Sequence, residues 1–149
     1  MNRDFSDMLS ALSEAGAEYL VVGAYALAVH GVPRATGDID LWIRPSPSNA
    51  QRAWDALVRF GAPLAGVRPE DLASPGIVLQ IGVAPGRIDL LTSIDGVAFE
   101  DAWSDRVELI VEGLRVPVLG RAHLVTNKRA AGRPKDLADL ALLEEISPR

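Results

Sequence analysis

A chain of 149 residues with 48% hydrophobic and 23% charged residues has the composition of an ordinary globular domain and not of a disordered chain. The absence of cysteine excludes disulfides, thiolate metal sites, iron–sulfur clusters and a cysteine nucleophile, and two histidines, His30 and His123, are too few for most zinc sites. A net charge of −5 excludes a generally basic nucleic-acid coat.

In chain order, Phe5, Met8, Leu9 and Leu12 recur at helical spacing, and Gly16 can end that helix. Glu18 to Val22 reads as a short buried strand. Gly23 breaks it, and the alanine-rich segment from Ala24 to His30 is helical. Gly31, Pro33 and Gly37 make a loop. Asp38 to Ile43 alternates as a strand does, and Pro45 and Pro47 close it. Ser48 is the expected N-cap of a helix carrying Ala50, Ala53, Trp54, Leu57, Val58 and Phe60. Residues 61–76 are rich in Gly and Pro and read as a loop with one helical turn. Ile77 to Val83 and Arg87 to Thr92 are strands around the turn Ala84-Pro85-Gly86. A short helix is expected over about 98–103, and Val107 to Val111 and Leu114 to Leu119 flank Glu112-Gly113 as a second hairpin. Two helices finish the chain, near 121–130 and 134–146, with Pro134 in the first turn of the second.

A doubly wound parallel sheet would alternate strand and helix to the end. This order predicts instead an α+β fold, a mixed β-sheet flanked by helices, as a single domain over residues 1–149. The longest apolar run, Tyr19 to Val29, is 11 residues against the roughly 20 of a membrane span. Asp4 and Asp7 stand where a signal peptide would be apolar. The expectation is a cytoplasmic protein with no membrane partner.

Charge is unevenly placed. Residues 1–112 hold eight basic and sixteen acidic residues. Arg115, Arg121, Lys128, Arg129, Arg133 and Lys135 then follow within 113–135 without a single acid, and residues 136–149 are acidic again. A local cationic cluster in an acidic chain suggests an anion site; the plainer reading is a solvated helix face.

Carboxylates carry the strongest chemical signal. Residues two apart in a strand point to the same face, so Asp38 and Asp40 share one face while Ile39, Leu41 and Ile43 share the other. Adjacent carboxylates repel and need a cation or a proton to coexist. Mg²⁺ takes oxygen ligands and leaves room for substrate phosphates. Asp89 is a third acid in an apolar strand, and three carboxylates on two neighbouring strands can hold two metals roughly 4 Å apart. The alternative for an isolated Asp-x-Asp is surface charge on an edge strand. Gly23 lets the backbone approach a ligand, with N–H groups at the following helix start facing an anion, or it is simply a tight strand-to-helix turn. Arg34 and Thr36 lie just before the acids. Arg34 either clamps a phosphate or pairs with a surface acid.

Taken together, the segment from Gly23 to Ile43, GAYALAVHGVPRATGDIDLWI, resembles the nucleotidyltransferase superfamily of DNA polymerase β, and within it the AbiEii-type toxin branch and related small bacterial nucleotidyltransferases. The matching pattern is a residue pair opening a helix (Gly23, Ala24), a histidine near the helix end (His30), an Arg-x-Thr (Arg34, Thr36), then Asp-x-Asp (Asp38, Asp40) in an apolar strand. Asp89 matches the third carboxylate, and Lys128, Arg133, Asp136 and Asp139 match the branch's C-terminal pattern. The match runs from about 18 to 146. It departs at Ala24, where the family usually has Gly or Ser; a hydroxyl is missing and the N–H remains.

The resemblance implies transfer of an NMP from an NTP to an acceptor hydroxyl, with pyrophosphate leaving. It implies Mg²⁺, two ions, with Asp38, Asp40 and Asp89 as metal ligands and catalytic residues. Asp89 is also the expected general base. Gly23 and Ala24 would cradle the β- and γ-phosphates, and Lys128 and Arg133 would hold the triphosphate. Asp136 orients Arg133 or Lys128, or caps the last helix. His30 reads as a helix-end histidine satisfied by a carbonyl. Trp42 lines the nucleotide pocket or packs under the last helix, and Trp54 and Trp103 read as core or interface residues. The acceptor is an RNA 3′ end such as that of tRNA, a hydroxyl of a partner protein, or a small molecule. Kinship with toxins would add an antitoxin partner. The competing readings are a non-catalytic nucleotide sensor or partner-binding module on the same fold, and a glycosyltransferase using Asp-x-Asp. The short chain without a long parallel α/β half counts against the last.

Overall fold

The computed structural model describes residues 1–146. Helix α1 (Arg3–Glu14) starts at Asn2, whose side chain accepts from the Asp4 and Phe5 N–H groups, and it buries Phe5, Met8, Leu9 and Leu12. The chain then runs through β1 (Tyr19–Val22), α2 (Gly23–Val29), β2 (Ile39–Ile43) and α3 (Pro47–Phe60). A 3₁₀ turn (Pro69–Ala73) precedes β3 (Val78–Ile81) and β4 (Ile88–Leu91). After α4 (Phe99–Ser104), β5 (Val107–Val111) and β6 (Leu114–Val118) form the second hairpin, and α5 (Arg121–Ala131) and α6 (Pro134–Glu145) close the described chain.

The six strands form one mixed sheet in the order β3-β4-β2-β1-β6-β5. β1 pairs antiparallel with β2 and parallel with β6, and β2 pairs parallel with β4; the two outer hairpins are antiparallel. This is the α+β architecture expected from the element order. Strand and helix boundaries shift by one or two residues from the sequence expectation. The clearest correction is the cap of α3. Pro47, which lacks an N–H, takes the first helical position, so the cap is Ser46 and not Ser48, with the Ser46 hydroxyl accepting from Asn49 N–H. Gly61 ends α3 in the left-handed conformation at φ 87°.

The apolar residues of β1 and β2 belong to one buried cluster with α1, α3 and the 3₁₀ turn. Ile39, Leu41 and Ile43 are fully buried, as the alternation requires. Trp42 is also fully buried and meets Phe99 of α4 edge-on at 4.9 Å, so it packs in the core under α4. That corrects both expectations for it, the nucleotide pocket and the last helix. Trp103 stacks on Phe99 at 5.7 Å, and Arg106 lies over its ring. Trp54 is half-buried against the core. His30, the residue that ends α2, places Nε2 2.8 Å from the Leu119 carbonyl oxygen, the satisfied helix-end histidine read from the sequence.

One buried polar residue ties the central strands together at the end away from the acids. Asn49 accepts from Glu18 N–H at 2.7 Å and donates from Nδ2 to the carbonyls of Glu18 and Arg44, both at 2.9 Å. It thereby joins α3 to the start of β1 and the end of β2.

Candidate active site

The parallel pairing of β2 and β4 places Asp40 directly opposite Asp89, with Ile39 opposite Ile88. Asp38 sits one residue before β2, on the same side as Asp40. Three carboxylates from two adjacent strands therefore face one open cleft of about 790 Å³. All nine sequence-nominated positions line that cleft: Gly23, Ala24, Arg34, Thr36, Asp38, Asp40, Asp89, Lys128 and Arg133.

Gly23 opens α2 at φ 67°, a left-handed conformation that favours glycine. A Cβ there would collide with Asp40 Oδ2. The glycine is thus required twice, by the backbone turn and by the close approach of the carboxylate. Thr36 shapes the loop leading into β2: its hydroxyl accepts from Asp38 N–H at 3.1 Å.

Burial pushes the Asp40 carboxyl up to about 6, with the neighbouring Asp89 and Asp38 charges adding to the shift and Arg87 opposing it. The shift is that of a half-buried carboxyl whose charge is made costlier still by two neighbouring acids. Arg87 supplies the opposing positive charge. Its Nε donates to Asp89 Oδ1 at 2.8 Å and its Nη2 to Asp89 Oδ2 at 3.1 Å, while Nη2 lies 3.5 Å from Asp38 Oδ2. Among the described residues no three acidic or histidine side chains already converge as a metal-ligand set. The oxygen-only donors, their register and the raised Asp40 proton affinity nevertheless suit a hard divalent cation.

The same cleft is lined by a second charged group from the α5–α6 region. Asp136 and Asp139 lie three residues apart on α6, both only 1% exposed. Lys128 Nζ sits 3.4 Å from Asp136 Oδ1 and 3.2 Å from Asp139 Oδ2. Burial lowers the Lys128 pKa, helped by the nearby Lys135 and Arg133 charges, and Asp136 opposes the shift. Arg133 is the N-cap residue of α6, and its N–H and Nε both donate to Asp136 Oδ2, at 3.3 and 2.6 Å. Asp136 therefore both orients Arg133 and caps the helix, the two roles the sequence left open. The Arg133 contact holds the Asp136 carboxyl below the usual carboxylate range.

Arg34 forms an ion pair with Asp139, so the acid it meets is a buried one on α6 rather than a surface one. This contact joins the loop after α2 to the last helix. Sequence reasoning missed Arg87 altogether. The same alternation that paired Asp38 with Asp40 applies to Arg87 and Asp89, two apart in one extended segment, and would have found it. His123, to which no role was assigned, pairs with Asp105 at 2.8 Å.

No family model matches the chain and no curated protein matches it in sequence. Solved structures do share its architecture. The lincosamide antibiotic adenylyltransferase LnuA, solved with lincomycin bound, superposes with a TM-score of 0.59 at 13% identity, over 99% of this chain and 98% of its own. A protein from Thermotoga maritima described as a nucleotidyltransferase gives 0.57 at 14% identity, over 96% of this chain and 89% of its own. The antibiotic-resistance factor ANT(2″)-Ia gives 0.53 at 15% identity, over 94% and 80%. At such identities the likeness is one of fold: this chain has the small α+β fold seen in these nucleotidyltransferases.

Proposed function

We propose that this protein is a metal-dependent nucleotidyltransferase that moves an NMP from an NTP to an acceptor hydroxyl. The observation that carries the reading is the gathering of three carboxylates and several basic side chains around one cleft. Asp40 and Asp89 are opposite each other on paired strands with Asp38 just before β2, and Lys128 and Arg133 line the same cleft. A nucleoside triphosphate with a divalent cation calls for both kinds of group, and the shared fold supports the reaction class.

In this reading Asp38 and Asp40 bind the cation carried by the triphosphate, and Asp89 completes a second site. Bound divalent ions would neutralise the phosphate charge and favour the ionised acceptor hydroxyl. Lys128 and Arg133 hold the β- and γ-phosphates, with the backbone N–H groups of Gly23 and Ala24 nearby, while Asp89 takes the proton of the attacking hydroxyl. The acceptor oxygen bonds to the α-phosphorus, the bond to the bridging oxygen breaks, and pyrophosphate leaves. Arg34, tied to Asp139, positions the loop that carries Thr36 and Asp38.

The acceptor is an RNA 3′ end, a hydroxyl of a partner protein, or a small hydroxylated molecule of the kind LnuA binds. The resemblance to the toxin branch supports a toxin's role, with an antitoxin as partner, where the acceptor is tRNA or a protein. Pyrophosphate release tests the proposal: each of the four NTPs is incubated with Mg²⁺ and, in turn, total tRNA, lysate protein and lincosamide or aminoglycoside acceptors. Release is expected with at least one acceptor class and should fall at least about a hundredfold in Asp89→Asn. Release unaffected by Asp89→Asn would remove this site from the reaction.

A further inference from the structure

The carboxylate cluster contains its own cation. Arg87 makes a two-point pairing with Asp89 and reaches Asp38 with the same Nη2. Its backbone N–H also donates to Asp38 Oδ1 at 3.0 Å, so main chain and side chain of one residue serve both acids. Arg87 is the one basic side chain paired with Asp89 among the described residues, and Asp40, which shares a hydrogen bond with Asp89, receives none from Arg87. The guanidinium therefore stands between two of the three oxygen donors that a divalent cation would use. It is held at the rim rather than locked in the core, since its side chain is 30% exposed and borders the cleft.

Two cations cannot share the same carboxylate oxygens at these distances, because like charges a few ångströms apart repel strongly where water is partly excluded. We propose that Arg87 is a resident counter-ion that holds Asp38 and Asp89 together in the metal-free protein and must swing out into the cleft when a divalent cation binds to that pair. Arg87 thus sets the affinity of the Asp89-containing site and keeps Asp89 paired until the cation arrives. Once withdrawn, its guanidinium is free to meet triphosphate oxygens. The inference rests on the divalent-cation reading of the site and adds a residue that competes with that cation.

The test is binding rather than turnover. Mn²⁺ affinity is measured without nucleotide, by electron paramagnetic resonance or calorimetry, for wild type, Arg87→Gln and Arg87→Lys, with circular dichroism to confirm the fold. Arg87→Gln removes the competitor and should bind Mn²⁺ about tenfold more tightly than wild type, a ratio equal to about 1.4 kcal/mol. Arg87→Lys keeps the charge without the two-point geometry and should fall between the two. In wild type, the Arg87 Nε–H resonance should lose its hydrogen-bonded shift on adding Mg²⁺; this readout holds even if a variant fails to fold. Arg87→Gln binding no tighter than wild type, or an Nε–H resonance unmoved at saturating Mg²⁺, would overturn the proposal while leaving the cation site standing. Absence of Mn²⁺ binding to folded wild type would bring down the cation reading itself, and this inference with it.

Discussion

Burial and two neighbouring carboxylates hold the Asp40 proton up to about pH 6. A carboxyl raised in this way binds its proton more tightly in the folded state than in the unfolded chain. Its contribution to stability is complete below the ordinary value of 3.8 and is lost as the pH rises through about 6. The metal-free protein should therefore lose thermal stability on this group's account as the pH climbs across that window, and Asp40→Asn should remove that slope. Saturating Mg²⁺ should restore the wild-type midpoint above pH 6. A pH series of thermal melts with and without Mg²⁺ checks both statements. Gly23 belongs to the same constellation. Gly23→Ala imposes a left-handed backbone on a residue with a Cβ and drives that Cβ into Asp40 Oδ2. The expected cost is on the order of 1–3 kcal/mol in denaturant unfolding, with weakened Mn²⁺ binding. At this scale the acids and Gly23 were legible because alternation and turn chemistry act over a few residues, whereas Lys128 and Arg133 came from the family resemblance and the local run of basic residues. The Arg34–Asp139 contact was not legible: the partners are far apart in the chain, and only tertiary packing brings them together.

Among the elements, β2 matters most, because one five-residue strand sends Ile39, Leu41 and Ile43 into the core and Asp40 to the cleft. Its register is maintained at the far end by Asn49. Asn49→Ala would leave Glu18 N–H and the Glu18 and Arg44 carbonyls unpaired, for an expected loss of about 2–3 kcal/mol in chemical denaturation. A loss under about 0.5 kcal/mol would mean that water replaces all three contacts. Element types followed from periodicity, and the hairpins from their Gly-containing turns. Boundaries moved where a single residue decides them, as Pro47 does for the cap of α3. Trp42 was misplaced because its strand face is shared: the sequence shows that it sides with Asp40, while only α4 and Phe99 determine that this part of the face is covered.

For the molecule as a whole, strand order could not be read from local pattern. The parallel neighbours β2 and β4 are separated by α3, the 3₁₀ turn and β3, and the order β3-β4-β2-β1-β6-β5 depends on long-range pairing. That order brings a cation cluster near the C-terminus against acids from the first two-thirds of the chain. The uneven charge along the sequence thus meets in one cleft, where Lys128 and Arg133 are already paired with Asp136 and Asp139. No described helix is long and apolar enough to cross a membrane. The central claim is that this cleft transfers a nucleotidyl group, and label transfer tests it most directly. Each NTP labelled at its α-phosphate is incubated with Mg²⁺, total tRNA and host lysate, with wild type beside Asp40→Asn. The account predicts label on an acceptor with wild type and none with Asp40→Asn; folded wild type that transfers no label from any NTP would contradict it.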